Sequence, residues 1–172
     1  MKLTFFALFL ILFSCADKPY ETEKEVNWTK DQSIKMNANF AAEEDKEIEA
    51  FLKRRKDWNM TTTGTGLRYM IYQNGPKVDS VYADDLVYVN FEVSLLSGEV
   101  CYRSETDEPE QFKVEHADIE SGLHEGIKLM CKGDRAKFIL PSHLAHGLIG
   151  DTDKIPPLSP VVYDIELVNI TK

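Results

Sequence analysis

From Val87 to Leu95 every second residue is apolar (Val87, Val89, Phe91, Val93, Leu95), with Tyr88, Asn90, Glu92 and Ser94 between them. A period of two belongs to a strand with one buried face. The same alternation sets Leu67, Tyr69 and Ile71 against Arg68, Met70 and Tyr72, and Val161, Tyr163, Ile165 and Leu167 against Asp164 and Glu166. Shorter strands are predicted over 99–103, 111–114 and 134–140, with turns at Asn74-Gly75-Pro76 and Ser97-Gly98. Between the strands, residues 122–132 predict a helix. Leu123, Ile127 and Met130 fall at i, i+4 and i+7, and Gly133 suits the left-handed position just past its end.

Upstream, residues 34–60 carry a helical pattern that runs from Ser33 to Trp58 and is broken by Thr61-Thr-Thr-Gly-Thr-Gly66. Asn37 or Asn39 is available as its cap. Glu43-Glu44-Asp45 early and Lys53-Arg54-Arg55-Lys56 late complement the helix dipole. Phe40, Ile48, Phe51 and Leu52 make only a narrow apolar stripe, which leaves docking on its own domain and docking on a partner both open. The expected fold is α+β: an antiparallel sheet of five to six strands wrapped over one short helix to close a single core, preceded by an N-terminal helix.

The chain has 172 residues, 43% of them hydrophobic, enough for one domain with a core plus a tail. With 20 basic and 29 acidic residues the formal charge is −9, which argues against a phosphate-backbone partner and so against nucleic acid. Met1-Lys2 and the apolar run over 3–13 are shorter than the roughly twenty residues that span a bilayer. They read as a signal peptide over 1–14. The run stops at Leu12-Phe13-Ser14-Cys15, the pattern of a bacterial lipobox with Cys15 as the lipidated residue; a plain secretory signal containing a cysteine is the alternative. Residues 15–33, polar and without period, read as a tether. The membrane is reached through that lipid alone, on the periplasm-facing side of the cell envelope, the outer membrane preferred over the inner. Cys101 and Cys131 are expected as two buried free thiols, although an oxidising compartment would permit a disulfide.

Three blocks, in order, resemble the FKBP-type peptidyl-prolyl isomerases. They are Val87-Tyr-Val-Asn-Phe91 with a turn at Gly98; Gly122-Leu-His-Glu-Gly126 running to Gly133-Asp-Arg-Ala-Lys137; and Pro141-Ser-His-Leu-Ala-His-Gly147 followed by Ile155-Pro156-Pro157 and Val161-Val-Tyr-Asp-Ile-Glu-Leu167. The resemblance places an FKBP-like domain over 64–172. The N-terminal portion also resembles the gliding-motility-associated FKBP lipoproteins of Bacteroidota. It implies a peptidyl-prolyl isomerase that needs no cofactor and acts on proline-containing polypeptide segments, with envelope secretion or motility proteins as further partners. A non-catalytic chaperone or scaffold on the same frame is the alternative.

Carried across by position, the resemblance places Phe91, Ile119, Ile155 and Tyr163 on pocket walls and gives the backbone N–H of Glu120 the substrate carbonyl. It also marks departures. The family's Phe-Asp pair reads Cys101-Tyr102, a pocket phenylalanine aligns near Glu110, the floor tryptophan becomes Leu123, and the tyrosine of a Tyr-Gly pair becomes His146. An imidazole can donate in the phenol's place and would make peptide binding pH-sensitive; an ordinary loop histidine is the other reading. His143 and His146, three apart, lack the carboxylate or cysteine spacing of a metal site, so no metal is expected.

Overall fold

The computed structural model describes residues 29–76, 78–105 and 108–172. The predicted leader, Cys15 and most of the 15–33 tether lie outside them. Seven strands form one antiparallel sheet: β1 (Thr61–Thr62), β2 (Arg68–Gln73), β3 (Leu86–Leu95), β4 (Val100–Arg103), β5 (Glu110–Lys113), β6 (Arg135–Leu140) and β7 (Val161–Thr171). Their order is β1-β2-β6-β7-β3-β4, with β5 also paired to β3. The strand beyond the expected six is β1, two threonines from the helix-breaking stretch that pair with Arg68 and Tyr69. Among the described residues the sheet belongs with two helices, α1 (Lys30–Leu52) and α2 (Ser121–Ile127), and a 3-10 turn at Ser142–Leu144.

The period of two decides which side chain meets which helix. Phe138, Leu140, Val161 and Tyr163 join the main core with Leu123, Ile127 and Met130 of the α2 region. Their neighbours Ile139 and Val162 point to the opposite face, where they pack with Ile48 and Phe51 of α1. The expected single core is therefore two clusters, one on each face of the sheet. α2 lies close because it carries glycine where it meets β6: a Cβ at Gly126 would sit 2.8 Å from the Phe138 ring, and one at Gly122 2.7 Å from Leu140. Carbon atoms normally rest about 3.5–4.0 Å apart, so both positions exclude a side chain without movement.

α2 ends at Ile127, five residues short of the expected span, and a turn carries buried Met130 onto the core. Gly133 is left-handed (φ +86), as its position suggested. It serves the turn into β6, where its N–H donates to the Leu167 carbonyl at 2.7 Å.

α1 differs more. It begins at Lys30 under a capping box, in which the Gln32 N–H donates to Thr29 Oγ1 at 3.3 Å and the Thr29 N–H to Gln32 Oε1 at 2.9 Å. Asn37 and Asn39 are thus interior residues and not caps. The acids expected at the helix start lie past its middle and bind other elements: Glu44 is buried and accepts the Ser142 N–H at 2.8 Å and the Ser142 hydroxyl, while Asp45 pairs with buried Arg68. No base sits in the last turn. Arg55, beyond the helix, covers the Phe51 ring at 3.7 Å, and Trp58 meets that ring edge-on at 5.6 Å. α1 therefore docks on its own domain. Both cysteines are free, but only Cys101 is buried; Cys131 is partly exposed, a correction to the expected pair of buried thiols.

Candidate active site

β3 shares one side between two partners. β5 pairs with its first half (Leu86 to Val89) and β4 with its second (Glu92 to Ser94). Between them Ser104 completes the backbone, its Oγ accepting the Phe91 N–H at 3.0 Å and its N–H donating to the Phe91 carbonyl at 2.9 Å. At this division a hollow of about 340 Å³ opens. Val89, Phe91 and Val93 of β3 line it, with Tyr102 and Arg103 of β4, Glu110, Gln111 and Phe112 of β5, Ile119, Glu120 and Leu123 at α2, and Tyr163 of β7. The Phe91 and Tyr163 rings stand 6.1 Å apart at 46°.

Six of the eight residues expected in the pocket therefore face one space: Phe91, Tyr102, Ile119, Glu120, Leu123 and Tyr163. Ile155 does not line it; it is buried in the adjoining core, 3% exposed. Nor does His146, which lines a neighbouring cavity with Asp118, Ser121 and Ala145. It reaches the hollow only through Glu120, whose Oε1 lies 3.0 Å from His146 Nε2 and accepts the Tyr163 hydroxyl at 2.7 Å. The Glu120 N–H, at the N-cap of α2, donates to no atom of the described residues. The Glu120 side chain was not anticipated at all, because its expected part was confined to the backbone. Val89 and Val93 were also missed, although they share a face with Phe91 and the alternation alone would have found them. Phe112 carried no signal beyond its place in a short strand.

Two phenols in the hollow are held protonated. Burial, then the charge and hydrogen bond of Glu120, raise Tyr163 well above the ordinary tyrosine range. The hydrogen bond to Asp151, then burial, raise Tyr102 likewise; its hydroxyl donates to Asp151 and lies 3.3 Å from Asp153. Burial works against the Asp151 carboxylate, yet the Tyr102 bond and the backbone N–H groups of Asp153 and Ile155, at 2.9 and 2.7 Å, hold it at about 2. Tyr102 thus ties β4 to the 150–155 loop.

Among the described residues lining the hollow, none is placed as an activated nucleophile. The two histidines three apart serve different partners, His143 Nε2 lying 3.0 Å from the Thr65 carbonyl and His146 turning to Glu120. What the site offers is an apolar enclosure, an unengaged backbone donor and a fixed carboxylate.

The family model described as FKBP-type peptidyl-prolyl cis-trans isomerase matches residues 78–168. The FkpA isomerase of Escherichia coli strain K12 is 31% identical over 165 residues, covering 90% of this chain and 60% of the relative. A probable FkpA of Neisseria meningitidis is 32% identical over 165 residues, covering 86% and 59%. The crystal structure of FkpA from Escherichia coli superposes with a TM-score of 0.66 at 33% identity, covering 81% of this chain and 64% of that one. The chain thus spans less than two thirds of the length of these relatives. By the matched region, which includes the whole hollow, this chain belongs to the FKBP-type peptidyl-prolyl cis-trans isomerase family.

Proposed function

We propose that this protein is a peptidyl-prolyl cis-trans isomerase acting on proline-containing segments of exported or envelope proteins. The observation that carries the reading is the hollow bounded by Phe91, Ile119, Leu123 and Tyr163, with the Glu120 N–H at its side. Rotation about a prolyl amide passes a twisted state that has lost C–N resonance, against a barrier of about 18–20 kcal/mol. The planar amide is the more polar form and depends more on water. An apolar enclosure that excludes water therefore favours the twisted form. The Glu120 N–H holds a substrate carbonyl and fixes the turn. Preferential binding of the twisted form is the whole of the catalysis, and no bond is made or broken. Because tyrosine, leucine and histidine replace family pocket residues at 102, 123 and 146, the activity is set low. Refolding of a protein limited by proline isomerisation should quicken when this protein is added, and His146→Ala and Tyr163→Ala should each lower the effect. Equal rates with and without the protein would remove the isomerase reading.

The protein is tethered to the envelope through lipid on Cys15. Radiolabelled palmitate should enter the protein, and Cys15→Ala should abolish labelling and release the protein from the membrane fraction. A second reading, a chaperone or scaffold subunit of an envelope secretion or gliding machine, is favoured by exposed Leu148 and Ile149, 55% and 72% exposed. Leu148 lines a cavity of about 410 Å³ between α1 and the Ser142–Leu144 turn, and Ile149 follows it in the chain. A tagged protein recovered from the membrane as a partner-free monomer would count against it.

A further inference from the structure

The charges around the hollow are unequal in sign. Glu110 and Glu120 line it, and Asp118 lines the adjoining cavity with Glu120. Asp151 and Asp153 stand at the Tyr102 hydroxyl. The nearby bases are occupied: Arg103 pairs with Glu92 at 3.4 Å, and Lys154 donates to the Cys101 carbonyl at 2.9 Å while lying 4.7 Å from the centre of the Tyr102 ring.

Of the two acids that line the hollow, Glu120 is the one held by other side chains. Its side chain is only 14% exposed, and Oε1 is shared by the Tyr163 hydroxyl and His146 Nε2. Oε2 takes no hydrogen bond from the described residues. A carboxylate already oriented by two partners loses little freedom on meeting a ligand. Glu110 forms no ion pair among the described residues, and its charge is felt at the Tyr163 hydroxyl, which it helps to keep protonated. The chain's formal charge of −9 adds a field of the same sign.

We propose that Glu120, with Glu110 on the same hollow, selects prolyl segments carrying a lysine or arginine next to the proline. This rests on the isomerase reading for the seat of the prolyl ring. The ring occupies the apolar walls, and the flanking side chain meets Oε2. Substrates with an acidic flank meet two carboxylates there, and the apolar-flanked ones gain nothing from either.

Short peptides that differ only by lysine, leucine or glutamate before or after a single proline provide the test. Two quantities are read on the full chain: kcat/KM from exchange NMR and Kd from chemical-shift titration. At low salt, lysine at one flank should be favoured over glutamate by about tenfold, the size of a unit charge reversed a few ångströms from a partly screened carboxylate. The ratio should shrink at about 0.5 M salt, where the Debye length is only a few ångströms. Glu120→Gln should bring the ratio below about threefold, and Glu110→Gln should lower it in part. Glu110, at the strand's exposed start, supplies the decision should Glu120→Gln fail to fold. Lysine and glutamate peptides handled alike by the wild type would overturn the selectivity even if both are isomerised. Tighter, Glu120-dependent binding of the lysine peptide with no acceleration of any peptide would uphold the selectivity and remove the isomerase reading. Failure of every peptide to bind would remove both.

Discussion

Replacing Glu44 by alanine tests whether α1 is a structural part of the domain. The carboxylate is 6% exposed and receives two donors from Ser142, itself 3% exposed. Truncation leaves the Ser142 N–H and hydroxyl without an acceptor in a buried place. An unsatisfied buried polar group costs about 1–3 kcal/mol, and the hydroxyl can rotate towards another acceptor, so the expected loss is about 2–4 kcal/mol. If Glu44 acted only through the helix dipole, the loss would be about 0.3–1 kcal/mol, so the two accounts separate cleanly. Glu44→Gln keeps one acceptor oxygen but loses the charge-assisted strength, which is about twice that of a neutral bond. It should fall between wild type and alanine, at about 1–2 kcal/mol. Urea unfolding followed by Trp58 fluorescence is the assay, since Trp58 lies against Phe51 on the same seam. The midpoint should fall with little change in slope. A Glu44→Ala unfolding free energy within about 0.5 kcal/mol of wild type would refute the clamp, because buried donors cannot lose their acceptor so cheaply.

Phe51→Ala, removing a ring 2% exposed between the sheet and Trp58, should destabilise by about 3–5 kcal/mol in the same urea assay. At Gly150 (φ +70) a Cβ would stand 2.1 Å from the Ile155 carbonyl oxygen, so Gly150→Ala should lower the melting temperature by several degrees in calorimetry, whereas an unchanged melt would mean the loop can shift freely. The Asp151 carboxylate titrates lower in the folded chain (about 2) than unfolded; its contribution is complete above the ordinary aspartate range and disappears as pH falls through about 2. Asp151→Asn should therefore flatten the stability loss between about pH 4 and pH 2, and an acid limb identical to wild type would contradict this. Tyr163 runs the other way: its raised value gives stability present below about pH 10 and lost above it, so Tyr163→Phe should be less sensitive to alkali in a pH-dependent melt.

The long strands were legible because each has one buried face, and burial imposes a period of two that no other element produces; β1, exposed at both residues, carried no such signal. β3 and β7 are the clearest cases, their inward residues forming the main core. α1 was legible as a helix but not in its extent. Its Thr29–Gln32 capping box lies in a charged stretch that reads as tether, and its stripe is narrow because only Ile48 and Phe51 bury deeply against two sheet residues. The pocket walls were readable from motif order, since Phe91, Ile119 and Tyr163 hold positions fixed by the frame. The pairing of Glu120 with Tyr163, 43 positions apart in the chain, depends on tertiary geometry that no local pattern encodes. His146 shows the same limit: its place in the motif put it in the pocket, but the turn after Leu144 directs it to the far side of a carboxylate.

The family match begins at residue 78, but the folded body begins well before it. A chain started at 78 would lack β2, leaving β6 with its Arg68 to Gln73 pairing positions open to strands from other molecules. It would also lack α1, so Ile139 and Val162 would lie bare on the outside of that open border. Such a fragment could keep every wall of the hollow and still precipitate, and its inactivity would say nothing about the chemistry. A fragment that keeps β2 and α1 keeps both the partner of β6 and the cover over Ile139 and Val162.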